Sequence, residues 1–202
     1  MDRANWIWRH NLRKALSGCR TVLDVGCGCC STLRDLGVPY PVGIDLYETS
    51  IRQARERGTH RELFCGDICD LPRYFRPRQF EACVALDVIE HLNEAEGYRL
   101  LEQMEEITSR RVAVFTPVGF LPQNHREAGD FQEHLSGWKP EQLRDRGYTV
   151  IGCLGWKRLR GEGHALRQPK NVCGWRAYFT HVIWTRNFPG SAAAMPCIKR
   201  LN

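Results

Sequence analysis

The ten residues VLDVGCGCCS, at positions 22–31, constrain this chain more tightly than any other stretch. Val22, Leu23 and Val25 form a short apolar run rich in β-branched residues, as a buried strand requires. Gly26 and Gly28 follow at once. Glycine adopts positive φ and lets another molecule come close to the backbone. A strand, a glycine turn and then a helix are the layout of a nucleotide-binding site in an open α/β sheet.

The rest of the chain repeats the alternation that such a sheet needs. Strand patterns recur at 21–25, 42–45, 62–65, 80–86 and 111–116, with helical spacing at 4–17, 49–57 and 93–109. Trp8, Leu12, Ala15 and Leu16 share one face of the first helix, and Gly18 stops it. In the third, Asn93 is the N-cap, Glu94 and Glu96 suit the positive end, and Leu100, Leu101, Met104 and Ile107 form the apolar stripe. Strands alternating with helices imply right-handed crossovers and a parallel, doubly wound sheet. Residues 117–138 break the rhythm and read as a candidate lid. A short helix at 139–147, a strand YTVIGC, a basic loop at 156–172, a helix at 174–187 and a last strand AAAMPCIKR complete the chain. With 202 residues and no internal repeat, one domain spanning 1–202 is expected.

Composition narrows the setting. Hydrophobic residues are 43% and charged residues 26%, which fits a folded globular chain rather than a disordered one. No apolar run approaches the ~18 residues of a membrane span. The charged start MDRANWIWRHNLRKAL has no apolar signal core, so a cytoplasmic protein with no membrane partner is expected. The net charge is +6, but its basic residues are scattered, and nucleic acid is not the expected partner. Several of the ten cysteines, Cys65, Cys83, Cys153 and Cys197, sit inside apolar strands and read as buried, reduced thiols. Cys27 and Cys30 form a C-x-x-C without a matching second pair, so no metal site is expected there.

Ligands of an open parallel sheet sit beyond the carboxyl ends of its strands. Asp24, Asp45, Asp67 and Asp87 stand at or just after four successive strand ends. An acid at the second accepts hydrogen bonds from both ribose hydroxyls. An acid after the third meets the adenine amino group, and Ile68 beside it covers the base. A nicotinamide enzyme shares the first two features. Its G-x-G-x-x-G fingerprint, however, needs glycine where this chain has Ser31.

Together these motifs resemble those of class I S-adenosylmethionine-dependent methyltransferases, over nearly the whole chain from residue 18. VLDVGCGCCS resembles motif I, [DE]-x-G-x-G-x-G, with Cys30 in place of the third glycine. VGIDLY, GDICDLP and FEACVALDVIEHL resemble motifs II, III and IV, and the later segments are similar to methyltransferases of the broad "type 11" kind. The resemblance implies a Rossmann-like, doubly wound seven-stranded sheet, mostly parallel, with helices on both faces and the last strand antiparallel. It implies S-adenosylmethionine as methyl donor and S-adenosylhomocysteine as product. By position, Gly26, Cys27 and Gly28 pass the methionine part with Asp24 beneath, Asp45 binds the ribose and Leu46 lies against the adenosine. Asp67 and Ile68 bind adenine, while Asp87, Val88 and His91 line the floor near the methyl group.

The acceptor is less legible. After the fourth strand, LDVIEH carries neither the N/D-P-P-Y/F tetrapeptide of amino-group enzymes nor the Pro-Cys of cytosine-C5 enzymes. A small-molecule acceptor, methylated on oxygen, is the first expectation. The alternatives are RNA or a protein held by the basic segment 156–170, or a cofactor-binding protein without catalysis. An oxygen acceptor needs a general base, and histidine is the natural one near neutral pH. His91 and His134 are the catalytic candidates, with His125 a further one. Phe115, Phe120, Phe131 and Trp138 either wall an acceptor pocket or pack the lid down.

Overall fold

The computed structural model describes residues 3–122, 133–161 and 165–201. Its frame is one sheet in the order β3-β2-β1-β4-β5-β8-β6. The first five strands are β1 (Thr21–Val25), β2 (Tyr40–Asp45), β3 (Glu62–Cys65), β4 (Phe80–Leu86) and β5 (Thr108–Pro117), and they run parallel. The last strand, β8 (Ala192–Arg200), is antiparallel to β5. Two short strands, β6 (Thr149–Val150) and β7 (Cys153–Trp156), pair with successive stretches of β8, so eight strands fill seven places. The expected single strand YTVIGC is split because the Gly152 amide turns from β8 to the Arg186 carbonyl. A Cβ at Gly152 would lie 1.9 Å from the Thr185 oxygen, so only glycine passes there.

Side chains alternate across the sheet, and that period of two divides the core. Leu23, Val25, Cys83 and Ala85 face one side, and Val22, Ala82 and Val84 face the other. On the first side lies α4 (Glu94–Glu106), with Leu100, Leu101 and Met104 fully buried. Each such side chain contributes about 1.5–3 kcal/mol by leaving water. The Asn93 side chain accepts from the Glu96 amide, and the Glu96 carboxylate accepts from the Asn93 amide, so both orphan donors at the helix start are satisfied. On the second side, Trp8, Leu12 and Leu16 of α1 (Arg3–Leu16) are buried, and Ala15 is half-buried.

The helix expected after the glycine turn is a single turn, α2 (Leu33–Leu36). Gly37, in the left-handed region at φ 72°, ends it, and Pro39 opens the way into β2. Helix α3 (Glu48–Arg57) joins β2 to β3, and α5 (Pro140–Asp145) precedes β6. The last helix, α6 (Lys170–Thr180), continues into a wider π turn at His181–Thr185. No helix among the described residues is long and apolar enough to cross a membrane.

Cysteine burial follows strand position. Cys83, Cys153 and Cys197 are fully buried, but Cys65 is exposed because β3 is the edge strand. Of the aromatic wall candidates, Phe115 stacks on Trp8 at 4.6 Å in the core. Trp138 is 1% exposed, packed on Gly97, where a Cβ would meet its ring at 2.4 Å. These two therefore hold the fold rather than line a pocket. Phe120 is exposed. Phe131 and His125 lie outside the described residues. The described ends of the candidate lid are tied together, since the Gly119 amide donates to the Trp138 carbonyl at 2.7 Å.

Candidate active site

The glycine turn leaves β1 with its amides directed inward. Gly26 and Cys27 donate to the Ile44 carbonyl at 2.9 and 3.1 Å, and Gly28 donates to Asp45 Oδ2 at 2.8 Å. A phosphate-binding turn keeps such donors for its ligand. Here they serve the chain, which argues against a dinucleotide and suits a nucleoside cofactor without phosphate.

The two glycines are required for different reasons. Gly26 has φ 65°, and a Cβ on it would lie 2.8 Å from Val88 Cγ2, so Val88 fills the space a side chain would need. Gly28 has φ 55°, and a Cβ there would meet nothing within 4 Å. The open room at the turn is therefore beside Gly28. The Cys27 side chain turns inward, its Sγ 2.8 Å from where a Cβ on Gly43 would stand. Burial, with Asp24 and Asp45 nearby, pushes its thiol up.

Asp24 is 3% exposed and supports the turn from below. Its Oδ2 accepts from the Ser31 hydroxyl at 2.5 Å and stands 3.3 Å from His60 Nε2. Ser31 in turn accepts from the Leu33 amide at 3.0 Å, so a hydroxyl stands where a dinucleotide fingerprint has glycine because it links the turn to α2. Asp45 is buried at the end of β2, and its Oδ1 accepts from the Tyr47 amide at 3.0 Å. Leu46 beside it is 50% exposed, as an apolar ligand face would be. Asp67 caps the 3₁₀ turn Ile68–Arg73 through the Cys69 amide at 2.8 Å, and Ile68 packs half-buried against the core.

At the end of β4 the chain turns sharply through Asp87, which has φ 55°. Aspartate is among the few non-glycine residues that tolerate this conformation. The turn sends Val88 beneath Gly26 and opens the 3₁₀ turn Ile89–His91. Residues from beyond β5 return to this turn. The Leu135 and Ser136 amides donate to the Glu90 carbonyl at 2.8 and 3.1 Å, and Trp138 Nε1 donates to the Ile89 carbonyl at 3.2 Å. His91 and His134, 43 residues apart in sequence, meet with ring centroids 4.8 Å apart.

Each of these rings is held by a backbone carbonyl, His91 Nδ1 by that of Glu133 at 3.1 Å and His134 Nδ1 by that of Leu121 at 2.7 Å. A carbonyl only accepts, so each Nδ1 carries the proton and the neutral ring's lone pair is on Nε2.

Glu90 was not among the residues singled out from the sequence. It is 2% exposed, and its Oε2 accepts from the Thr116 hydroxyl at 2.9 Å. Burial, then the Asp87 carboxylate, push its carboxyl well above the usual carboxylate range. Its position between Asp87 and His91 in DVIEH is the one signal that could have found it.

Residues 22–110 match a family model described as a methyltransferase domain. The matched stretch runs from β1 through β4 and α4 to the start of β5. No curated protein matches the chain by sequence. In fold, the chain is similar to a SAM-dependent methyltransferase from Archaeoglobus fulgidus, at 16% identity and TM-score 0.63, covering 97% of this chain and 94% of that one. It is also similar to the methyltransferase domain of bacterial CtHen1, at 18% identity and TM-score 0.61, covering 98% of this chain and 100% of that one. A third similar structure is magnesium protoporphyrin IX methyltransferase from Synechocystis PCC 6803 with bound SAM, at 14% identity and TM-score 0.56, covering 97% of this chain and 80% of that one. The open side of Gly28 leaves room for a nucleoside cofactor of that kind without calling on any phosphate donor.

Proposed function

We propose that this chain is an S-adenosylmethionine-dependent methyltransferase that methylates an oxygen of a small-molecule acceptor held beside His91 and His134. The observation that carries this reading is the histidine pair, two imidazoles with their lone pairs on Nε2 at the end of β4. When bound, S-adenosylmethionine supplies a methyl group activated on a sulfonium sulfur. In this reading Gly28 borders the methionine part and Asp24 is a positioning residue acting through the turn. The second lone pairs of the Asp45 oxygens accept from the ribose hydroxyls, and Leu46 covers the adenosine. Asp67 and Ile68 meet the adenine, and Asp87 and Val88 form the floor. An imidazole Nε2 takes the acceptor's hydroxyl proton as the carbon–oxygen bond forms. The remainder of catalysis is alignment and exclusion of water.

The basic segment gives little support to an RNA or acidic-protein acceptor, because three of its cations bond to their own chain. Arg160 is buried with Nε donating to the Leu154 carbonyl at 2.6 Å, and Arg167 Nε donates to the Arg160 carbonyl at 3.1 Å. Lys157 donates to the Gly190 carbonyl at 3.2 Å.

The test has two stages. Calorimetric titration with S-adenosylmethionine and S-adenosylhomocysteine should give micromolar binding. A labelled-methyl screen over hydroxyl, amine, thiol and RNA acceptors should then give transfer to a hydroxyl. Transfer only to amines or RNA would replace the oxygen reading, and cofactor binding without any turnover would favour the non-catalytic alternative.

A further inference from the structure

We propose that Glu90, His91 and His134 bind one divalent transition-metal ion, of the Mn²⁺, Fe²⁺ or Zn²⁺ kind, at the acceptor end of the site. Among the described residues these three bring one ligand atom each to within 4.8 Å of one another. Bonds of about 2.1 Å set opposite ligands about 4.2 Å apart, so side-chain movements of under about 1 Å close the cluster on an ion.

A second observation points the same way. Glu90 Oε1 is buried and has no hydrogen-bond partner, while Oε2 of the same carboxyl is engaged by Thr116. An orphaned buried carboxyl oxygen is unfavourable, and a cation beside it removes the penalty. The outer partners fit as well. A metal-bound imidazole is usually oriented by its other nitrogen donating to a carbonyl or carboxylate. Both Nδ1 atoms do this here, to Glu133 and Leu121. Two imidazoles and one carboxylate form a mixed nitrogen–oxygen set, which favours transition ions over Mg²⁺ or Ca²⁺. His91 is only half-buried, so solvent or an acceptor has access to the cluster.

The functional role rests on the oxygen-acceptor reading. An ion at this position would hold the acceptor hydroxyl and lower its pKa, its proton leaving to solvent, while the methyl carbon breaks its bond to sulfur and forms one to oxygen. The histidines then act as ligands, and the ion takes over the work of a base.

The test is direct metal binding, using the metal-stripped full chain with MnCl₂ and separately ZnCl₂ as probes. Calorimetry, and the Mn²⁺ paramagnetic resonance spectrum, should report one ion per chain, with or without S-adenosylhomocysteine. His91→Ala, His134→Ala and Glu90→Gln should each weaken the ion by more than the about 10–100-fold that loss of an outer-shell partner costs, with S-adenosylhomocysteine affinity held within about 3-fold. Thermal melting checks each variant's fold. His91→Ala, at a half-buried ring, keeps the question answerable if the two buried variants do not fold. A folded chain that binds S-adenosylhomocysteine but no divalent ion overturns the site and leaves the oxygen reading standing. Ion binding unchanged in His91→Ala and His134→Ala overturns it too. Ion binding lost in those variants supports the site even where no hydroxyl is methylated.

Discussion

Two ends of neighbouring strands make up this site, and they are built in opposite ways. At the end of β1 the polar groups answer one another. The turn amides go to Ile44 and Asp45, Asp24 goes to Ser31 and His60, and the open room lies beside Gly28. At the end of β4 the groups come from distant segments, and one buried carboxyl oxygen is left without a partner. The first end has its turn donors satisfied by the chain itself. The second sets two imidazoles beside a buried carboxyl with one unpaired oxygen, which is where proton or metal chemistry belongs.

Perturbing the two ends should separate them. The largest effect is expected at the β4 end: replacing both His91 and His134 by Ala should lower methyl transfer by about 10²–10⁴-fold. Cofactor affinity, measured by calorimetry, should stay unchanged, and a parallel loss of cofactor would erase the division. Gly26→Val joins the two ends, because its side chain strikes Val88 from a left-handed backbone. A cost of about 2–5 kcal/mol is expected from the conformation and the overpacking. Chemical denaturation should show it, together with loss of cofactor binding. This differs from simple blocking of the ligand, which would leave stability intact.

Asp45→Ala belongs to the β1 end alone. It should weaken S-adenosylmethionine by about 1–3 kcal/mol through lost hydrogen bonds. It should also lower the melting temperature, since the Gly28 and Tyr47 amides lose their acceptor. Full cofactor affinity in a folded Asp45→Ala chain would remove the ribose assignment.

The smallest effect concerns thiol reactivity at the turn. A hydrogen bond from Cys30, with Arg57 beside it, lowers the Cys29 thiol, whereas partial desolvation and the Glu48 carboxylate raise that of Cys65. The thiolate is the reactive form. Alkylation of the Cys29–Cys30 pair should therefore begin at lower pH than that of Cys65. Peptide mapping across pH would show it, and Arg57→Ala should move the onset up.

The β1 end was readable in the sequence because its logic is short-range. Strand period, glycines and an acid at each strand end all act within a few residues, so the strands and Asp24, Asp45 and Asp67 could be assigned to their places. The capping of α4 was legible for the same reason. The failures are all long-range. Trp138 sits in an irregular segment, and only its contact with Gly97, 41 residues earlier, makes it core. Phe115 was ambiguous until α1 laid Trp8 across it. Glycine 26 was legible as a required glycine, but the reason, Val88 beneath it, was not.

By itself, then, the sequence determined the parallel strands, the glycine turn and the row of acids, because backbone conformation and face alternation depend on near neighbours. The tertiary structure decided the rest. It brought His134 onto His91, buried Glu90 with one oxygen unpaired, and turned the amides of the glycine turn onto the chain itself. Those outcomes depend on which distant groups share a small dry volume, and burial of that kind has no signature in the order of residues along the chain.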